Sequence, residues 1–366
     1  MDDYHVPVYQ RYAFTLAQVQ ERSIDYIWDG RMAAGMLTLI DGDPGNGKTL
    51  LAMDIAARLT RGEPLPFSDH RQAPASVLVF SAEDSLEQVI KPRMMAANAD
   101  PHRVGFVVMR HPDPENTSQI PLSIPANLHD IKAVAMAMEN TRMILIDPIM
   151  AYLGTEISSA DDMQVRQALA PLVALAEEVQ CAVVMIRHLN KNQGASSMYR
   201  GGGSIAFIGA SRFSFVSGRY PDDPTGEVRV LAPNKINANK NPLALTYTIQ
   251  HNEEYRQPVI QWGSEAELHA EQLVLEGKSI AEMNKIQDAM AWLRSAMSSG
   301  SVPTGELKKR AGADNFSWAE VMDAIDADGV RRKENALTHV WEYYYPEKRL
   351  REIVAAEGFI GQDQYE

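Results

Sequence analysis

Short apolar runs alternate with helical stretches between residues 36 and 249. The main runs are MLTLI (36–40), SVLVF (76–80), GFVVM (105–109), MILI (143–146) and AVVMI (182–186). Continuous apolar strands separated by helices are typical of a parallel sheet that is covered on both faces. The pattern therefore predicts an α/β fold with a mostly parallel central sheet. Three later segments look antiparallel and are expected to extend this sheet: RFSFVSG, EVRVLA and LTYTIQ.

The pattern changes at both ends of this region. Residues 1–35 are predicted to form an N-terminal arm with a short amphipathic helix around 16–23, and residues 36–263 form the core. After a linker at 264–279, helices are predicted near 286–297, 304–312 and 317–328. A basic trio, Arg331, Arg332 and Lys333, follows the third helix. Three short helices and a small wing predict a winged-helix-like domain over residues 280–366.

Composition and charge narrow the class of protein. Hydrophobic residues make up 45% and charged residues 23%, which is typical of a globular chain. The sequence contains no apolar stretch of the roughly 20 residues that a membrane helix needs and no signal-peptide pattern, so we expect a cytoplasmic protein. The net charge of −13 argues against a surface that coats DNA. Any contact with nucleic acid should therefore be confined to a local loop or channel.

A phosphate-binding loop follows the first apolar run. The segment fits the pattern G-x-x-x-x-G-K-[ST] and lies between a predicted strand and a predicted helix, the context that this motif requires. Its backbone N–H groups can cradle phosphates, its lysine can reach the β- and γ-phosphates, and its hydroxyl can bind Mg²⁺. We therefore predict ATP and Mg²⁺ as ligands. The predicted nucleotide-binding residues are Gly42, Asp43, Pro44, Gly45, Asn46, Gly47, Lys48, Thr49 and Leu50.

Carboxylates at two other strand ends complete a candidate hydrolytic site. Asp147 ends the run MILI, where an acid lies beside the phosphate crevice and can hold Mg²⁺. Glu83 follows SVLVF and can polarise the water that attacks the γ-phosphate. The neighbouring Asp84 is the alternative candidate for this role. It could instead cap the following helix, for which Ser85 is another candidate.

His188 ends the strand that contains AVVMI. A side chain at this edge of the sheet can contact the γ-phosphate. When that phosphate is lost, the changed contact can alter the loop that follows. A lone histidine is often structural, so its position rather than its type favours this role. Arg187, beside it, is the alternative candidate for the same place.

The order of these motifs resembles the RecA-like core of plasmid RepA-type hexameric replicative helicases, which are relatives of the bacterial DnaB motor. The resemblance covers about residues 20–250. It rests on the phosphate loop, SAED, KPRMMAANAD, MILIDP, RHLNK and RGGGSIAFIGASR. The resemblance implies a ring, expected to be a hexamer, with Lys48 and Glu83 as catalytic residues.

The same resemblance implies roles for further residues. Thr49 and Asp147 match the magnesium ligands, and His188 matches a γ-phosphate sensor. Arg212 matches an arginine finger that reaches the neighbouring subunit's site, although a surface arginine is the alternative. Lys235 resembles a second lysine at the subunit interface.

The loop 190–204 contains Lys191, Tyr199 and Arg200 among several glycines. In RecA-like rings the equivalent loop faces the central channel and grips single-stranded nucleic acid. Cations and one aromatic side chain suit backbone contact and base stacking. The alternative is an ordinary surface loop.

The C-terminal domain departs from the minimal RepA-type core. Its predicted recognition helix carries acids and no cation, so its insertion into a phosphate-lined groove would be repulsive. We therefore expect it to contact a protein partner. The acids of this helix are Glu320, Asp323, Asp326 and Asp328.

The leading hypothesis is an ATP-driven ring motor on single-stranded DNA, a replicative helicase of a plasmid, phage or integrated element. The alternative is an ATP-dependent regulatory scaffold of the same fold that recruits a protein partner without unwinding DNA. A recombinase-like filament is a weaker third possibility, because the arm shows no obvious polymerisation segment.

Overall fold

The computed structural model describes residues 15–110, 119–120, 122–189, 204–237, 241–274, 280–335, 338–347, 349–351 and 353. Its strands are β1 (Tyr26–Trp28), β2 (Met32–Ala33), β3 (Leu37–Gly42), β4 (Ser76–Ser81), β5 (Val104–Gly105), β6 (Met109–Arg110), β7 (Gln119–Ile120), β8 (Thr141–Asp147), β9 (Ala182–His188), β10 (Phe213–Arg219), β11 (Arg229–Ile236), β12 (Ala244–Asn252), β13 (Gln257–Ala266), β14 (Val302–Pro303), β15 (Arg331–Glu334) and β16 (Trp341–Tyr344). Its α-helices are α1 (Lys48–Arg61), α2 (Lys91–Ala96), α3 (Leu128–Ala137), α4 (Asp162–Val179), α5 (Ala206–Ala210), α6 (Ala270–Val274), α7 (Ile280–Ala296), α8 (Thr304–Ala313) and α9 (Trp318–Ala327).

The central sheet has the strand order β13-β12-β11-β10-β3-β9-β8-β4-β5. The pairings from β10 through β3, β9, β8 and β4 to β5 are parallel, which confirms the predicted α/β fold. The strands β11, β12 and β13 add antiparallel pairings. The segment RFSFVSG differs from the prediction, because it forms β10 and runs parallel to β3.

Helices cover both faces of this sheet. Side chains of α1 and α2 pack on one face, in a cluster that includes Leu51, Ile55 and Met94. Side chains of α3, α4 and α5 pack on the other face, in a cluster that includes Leu169 and Phe207. Burial on both faces explains why the central strands are apolar without alternation. Among the described residues, no helix combines the length and apolar character needed to cross a bilayer.

The packed core extends beyond both predicted boundaries. The hairpin β1–β2 precedes residue 36, yet Trp28 is buried and lies edge-on to Trp262 at 5.9 Å. At the other end, β13 continues to Ala266, and Leu268 and Leu273 pack in a cluster with Val230 and Ala232 of β11 and Ala244 of β12. The boundaries drawn at 36 and 263 thus fall inside one packed unit, because apolar side chains outside the recognised pattern complete its core.

Two local predictions were too long. The run GFVVM contributes only its first residue to β5, and the pairing with β4 ends at Gly105. The helix expected at 16–23 is reduced to a single 3₁₀ turn, Leu16–Gln18. Its Leu16 is 86% exposed, so no buried face supports a longer helix.

The C-terminal residues form the predicted winged-helix arrangement. Helices α7, α8 and α9 enclose a separate apolar cluster that includes Leu293, Leu307 and Ile325. A small sheet of order β14-β16-β15 forms the wing. Ser317 caps α9 through a reciprocal bond with Glu320. The basic trio lies on β15 and is exposed.

Asp328 forms a buried network of ion pairs and hydrogen bonds in this domain and does not belong to an acidic surface. It is fully buried at the end of α9 and accepts hydrogen bonds from Arg294, Arg349 and Tyr345 at 2.6 to 2.8 Å. Burial raises the pKa of Asp328, but these partners outweigh burial and hold it below its usual range. The expected acidic face of α9 therefore loses this residue.

We expect Asp328→Asn to lower the free energy of unfolding of the C-terminal domain by about 3–5 kcal/mol, because two arginines lose their buried counter-charge. Since the pKa of Asp328 is lower in the folded state, the stabilisation is present at neutral pH and is lost as the pH falls below about 4. Urea titration followed by hydrogen exchange at α9 amides measures this loss. The control is Asp326→Asn, an exposed acid of the same helix, which should change stability by less than about 0.5 kcal/mol.

Candidate active site

The carboxyl ends of five parallel strands converge at one edge of the sheet. Gly42 at the end of β3 lies in register with His188 of β9 and Ser217 of β10. Asp147 at the end of β8 lies in register with Ser81 of β4. Ligands of open α/β sheets bind at this edge. The predicted phosphate loop, magnesium ligand and sensor are therefore brought together by strand register alone.

The phosphate loop requires its glycines. Gly45 and Gly47 have φ angles of 84° and 82°, which side chains rarely adopt. A Cβ on Gly42 would lie 2.4 Å from the carbonyl oxygen of Ser217, so the two backbones approach too closely for any side chain. The loop then opens directly into α1, whose N-terminus favours anions.

Lys48 lies within this loop. Its Nζ donates to the carbonyl oxygens of Gly42 and Asp43 at 2.8 and 2.9 Å, and the residue is buried. Burial lowers the pKa of Lys48, while the carboxylate of Asp147 opposes this shift. A buried ammonium held only by carbonyls and nearby carboxylates suits a phosphate ligand, which would supply its counter-charge.

Thr49 and Asp147 form the expected oxygen pair. The hydroxyl of Thr49 donates to Oδ2 of Asp147 at 2.5 Å. Burial raises the pKa of Asp147, whereas Thr49 and Lys48 lower it. The described residues include no cluster of three or more His, Cys, Asp or Glu that could hold a metal by itself. A hydroxyl and one carboxylate fit Mg²⁺, which usually binds through few protein oxygens together with substrate phosphates.

The two adjacent acids after β4 have different environments. Asp84 accepts a hydrogen bond from Nη1 of Arg93 at 3.0 Å. Ser85, rather than Asp84, caps the following helical turn by accepting from the N–H of Gln88. The Glu83 carboxylate is 64% exposed and its Oε2 lies 3.9 Å from Nε2 of His188. The geometry thus places Glu83, and not Asp84, at the convergent edge.

His188 and Arg187 point to opposite faces of β9. Arg187 is buried, donates to both oxygens of Asp41 at 2.8 and 2.7 Å, and lies over the ring of Phe207. This bidentate pair removes Arg187 as a phosphate sensor. The Nδ1 atom of His188 is buried and has no hydrogen-bond partner within the described part of the chain. Such an atom is unusual in a folded protein and is consistent with a partner contributed by a bound ligand.

Arg212 lies at the opposite end of the sheet from its own phosphate loop. Its backbone N–H donates to Leu37 at the start of β3, five residues before Gly42. At about 3.3 Å per residue the two ends are about 17 Å apart. Arg212 is exposed and lies at this distance from the phosphate loop of its own chain.

Lys235 lies next to Arg212 and occupies a defined position. Its Nζ donates to the carbonyl oxygens of Ile208 and Gly209 at 3.0 and 3.1 Å. Burial lowers the pKa of Lys235, and the charges of Arg212 and Arg166 lower it further. None of the three cations forms an ion pair with a carboxylate of the described residues. Arg166 was missed in the sequence because no motif marks it on α4.

A polar network behind the phosphate loop was also missed. Tyr247 is buried in β12 and donates from its hydroxyl to the carbonyl oxygen of Asn46 at 2.8 Å. The same hydroxyl lies 2.7 Å from Oγ of Ser217, and Nδ2 of Asn46 donates to the Ser217 carbonyl at 3.2 Å. Burial raises the pKa of Tyr247 to about 12, so it remains a neutral donor. Side-chain and backbone groups of β10 and β12 thereby anchor Asn46 of the phosphate loop.

We expect Tyr247→Phe to lower the free energy of unfolding by about 1 kcal/mol, because the Asn46 carbonyl loses a buried donor. Nucleotide affinity should fall with it, since the loop loses its support. Thermal unfolding and titration with a fluorescent ATP analogue measure both effects. Tyr255→Phe serves as the control, because Tyr255 is half-buried and its side chain lies outside this network. Equal effects of the two substitutions would contradict the prediction.

The predicted DNA-binding residues lie outside the described residues. Lys191, Tyr199 and Arg200 belong to the segment between 189 and 204. The described chain enters this segment just after His188 and leaves it at Ser204, whose carbonyl oxygen accepts from Arg187 at 3.0 Å. The ends of the segment thus adjoin the convergent edge.

Comparisons with known proteins agree with this geometry. A family model described as an AAA domain matches residues 9–194. The DNA repair protein RadA of Helicobacter pylori is 28% identical over 214 residues, which cover 58% of this chain and 39% of that protein. RadA of Halalkalibacterium halodurans is 27% identical over 177 residues, covering 48% of this chain and 32% of that protein. The chain therefore spans about two fifths or less of the length of these relatives.

The match begins in the arm and runs through the phosphate loop, Glu83, Asp147 and His188. It thus covers β3, β4, β8 and β9, whose carboxyl ends lie at the convergent edge, and ends before β10. The parallel sheet, the phosphate loop and the paired Thr49 and Asp147 together describe a RecA-like P-loop ATPase core. The chain belongs to the AAA domain family.

Proposed function

We propose that the protein is a ring-forming motor that hydrolyses ATP and translocates on single-stranded DNA, as a replicative helicase of the RepA and DnaB kind. The observation that carries this proposal is the position of Arg212. It lies with Arg166 and Lys235 about 17 Å from its own phosphate loop. Two exposed arginines beside a half-buried lysine, without described carboxylate partners, suit the phosphates of a neighbouring subunit's site.

Hydrolysis follows from the residues of the convergent edge. Glu83 takes a proton from water as the water oxygen bonds to the γ-phosphorus. The bond from that phosphorus to the bridging oxygen breaks, and its electron pair leaves with ADP. Lys48 and the neighbour's Arg212 stabilise the charge on the transferred group. Magnesium, when held by Thr49 and Asp147, neutralises charge on the phosphate oxygens.

His188 connects this chemistry to the segment proposed to grip DNA. It ends β9 and faces Glu83, and the segment that contains Lys191 begins two residues later. Loss of the γ-phosphate would change the hydrogen bonding of His188 and shift the start of this segment. The name of the RadA relatives refers to DNA repair. That name supports an ATPase of DNA metabolism, and replication is our narrower proposal.

One experiment tests the motor directly. The ATPase rate is measured with and without single-stranded DNA, and strand displacement is measured on a forked duplex. We expect stimulation together with unwinding. Hydrolysis that ignores DNA, with no unwinding by an assembled ring, would instead support the regulatory scaffold. The net charge of −13 and the exposed acids of α9 favour that second function, in which the C-terminal domain recruits a protein.

A further inference from the structure

A continuous series of cations and aromatic rings crosses the C-terminal domain. Nζ of Lys308 lies 4.9 Å from the centre of the Trp318 ring, which is 6.2 Å from the Tyr343 ring. The guanidinium of Arg332 lies 5.8 Å from Tyr343 and 4.8 Å from Trp341. We call this series the cation–aromatic strip. It joins α8, the first residue of α9, and the strands β15 and β16 of the wing.

The strip is positively charged in an acidic protein. Lys308 and Arg332 are exposed and form no ion pair with a carboxylate of the described residues. Arg331 and Lys333 flank Arg332 on β15, and they also have no described ion pair. The acids of the strands β15 and β16 are Glu334, which lies 3.2 Å from His339, and Glu342, which is buried opposite Lys333 and accepts from Ser301 and Asn335. The wing therefore carries a local excess of positive charge.

Two of the four acids of α9 are engaged away from the strip. Asp328 is buried among its arginines, and Glu320 caps the helix through Ser317. The exposed acids are Asp323 and Asp326. Trp318 and the half-buried Met322, four residues later, define the side of α9 that faces Tyr343. Repulsion between the exposed acids of α9 and phosphates therefore argues against insertion of this helix into a groove. The exposed cations of the strip, beside α9, remain accessible to phosphates.

We propose that the cation–aromatic strip binds single-stranded nucleic acid. Lys308 at one end of the strip and Arg332 near the other suit contact with different phosphates, and Trp341, beyond Arg332, is 47% exposed, which leaves ring surface for a base to stack on. Arg332 holds the Trp341 ring by its cation–π contact, so the platform is ordered before a base arrives. An acidic protein partner would use the cations but would not need the exposed ring of Trp341 beside Arg332.

The experiment measures binding of fluorescein-labelled dT30 to the full chain by anisotropy, without nucleotide. Arg332→Glu should raise the Kd about tenfold or more and reduce the slope of log K against log salt by about 0.7 for each lost phosphate contact. Trp341→Ala should raise the Kd about 5- to 100-fold through lost stacking. ATP hydrolysis without DNA should stay at the parental rate in both variants, which separates this site from the proposed motor chemistry.

The matched control is Arg351→Glu, which changes the net charge equally. Arg351 is exposed and follows Arg349, which binds the far end of α9 about 15 Å from Trp318. Equal effects of the two reversals, or parental affinity of Trp341→Ala, would overturn the proposal. If circular dichroism shows that Arg332→Glu does not fold, Arg332→Gln replaces it and Arg351→Gln becomes the control. The Kd of Arg332→Gln for dT30 should then be higher than that of Arg351→Gln, and equal values would overturn the proposal.

Discussion

Replacing Glu83 with glutamine should lower kcat for ATP hydrolysis by about 10²- to 10⁴-fold, because the amide cannot accept the proton of the attacking water. Nucleotide affinity should change little, since the Glu83 side chain is exposed and lies outside the phosphate loop. Single-turnover release of phosphate measures the chemical step, and titration with a fluorescent ATP analogue measures binding. The same variant should therefore trap the nucleotide-bound state.

Asp84→Asn is the matched control for this prediction. It removes the same charge one residue away, but Asp84 is held by Arg93 in a partly exposed ion pair. Loss of such a pair costs about 0.2–1 kcal/mol of stability, and turnover should remain close to the parental rate. The assignment fails if Asp84→Asn abolishes phosphate release while Glu83→Gln retains it.

Replacing Arg212 with alanine should lower kcat by about 10³- to 10⁵-fold, the range that a trans-acting arginine contributes to phosphoryl transfer. The residue lies at the far end of the sheet from its own phosphate loop, so binding of nucleotide within the chain should persist. Steady-state ATPase assays and nucleotide titration separate the two effects. Arg61→Ala is the control, because Arg61 is exposed at the far end of α1 and pairs with Glu63.

Mixing two inactive variants tests the trans assignment more sharply. Lys48→Ala removes the lysine of the phosphate loop but keeps Arg212, and Arg212→Ala does the reverse. In a mixed ring, the loop of an Arg212→Ala subunit can meet the arginine of a Lys48→Ala neighbour. We expect ATPase activity to reappear on mixing, up to about a quarter of the interfaces at equal amounts if subunits assemble at random. No recovery in confirmed mixed rings would show that Arg212 does not act between subunits.

The sequence alone was sufficient for the phosphate loop and for the parallel strands around it. The motif has a fixed spacing because glycines must curve the backbone between one strand and one helix. Asp147 could be predicted in the same way. An acid at the carboxyl end of a buried parallel strand lies beside the phosphate loop, regardless of the helices that connect the strands. The three helices of the C-terminal domain were also predicted from local signals, such as the Ser317 cap of α9.

Choices between neighbouring residues needed tertiary structure. Local pattern could not separate Glu83 from Asp84, or His188 from Arg187, because only their partners differ. Arg93 holds Asp84, and Asp41 together with Phe207 holds Arg187 on the other face of the sheet. Charge counting likewise treated Asp328 as a surface acid, although two arginines and a tyrosine surround it.

The sequence by itself thus determined the phosphate loop, the parallel fold and the order of the candidate groups, because motif spacing and the periodicity of apolar residues encode them locally. Only the tertiary structure decided which groups share the edge with Lys48 and Thr49, and which serve the core. It also placed Arg212 beside Arg166 and Lys235, and joined Lys308 to Trp341 across the wing. These pairings join residues far apart in sequence, so their geometry depends on how distant strands and helices pack rather than on local spacing.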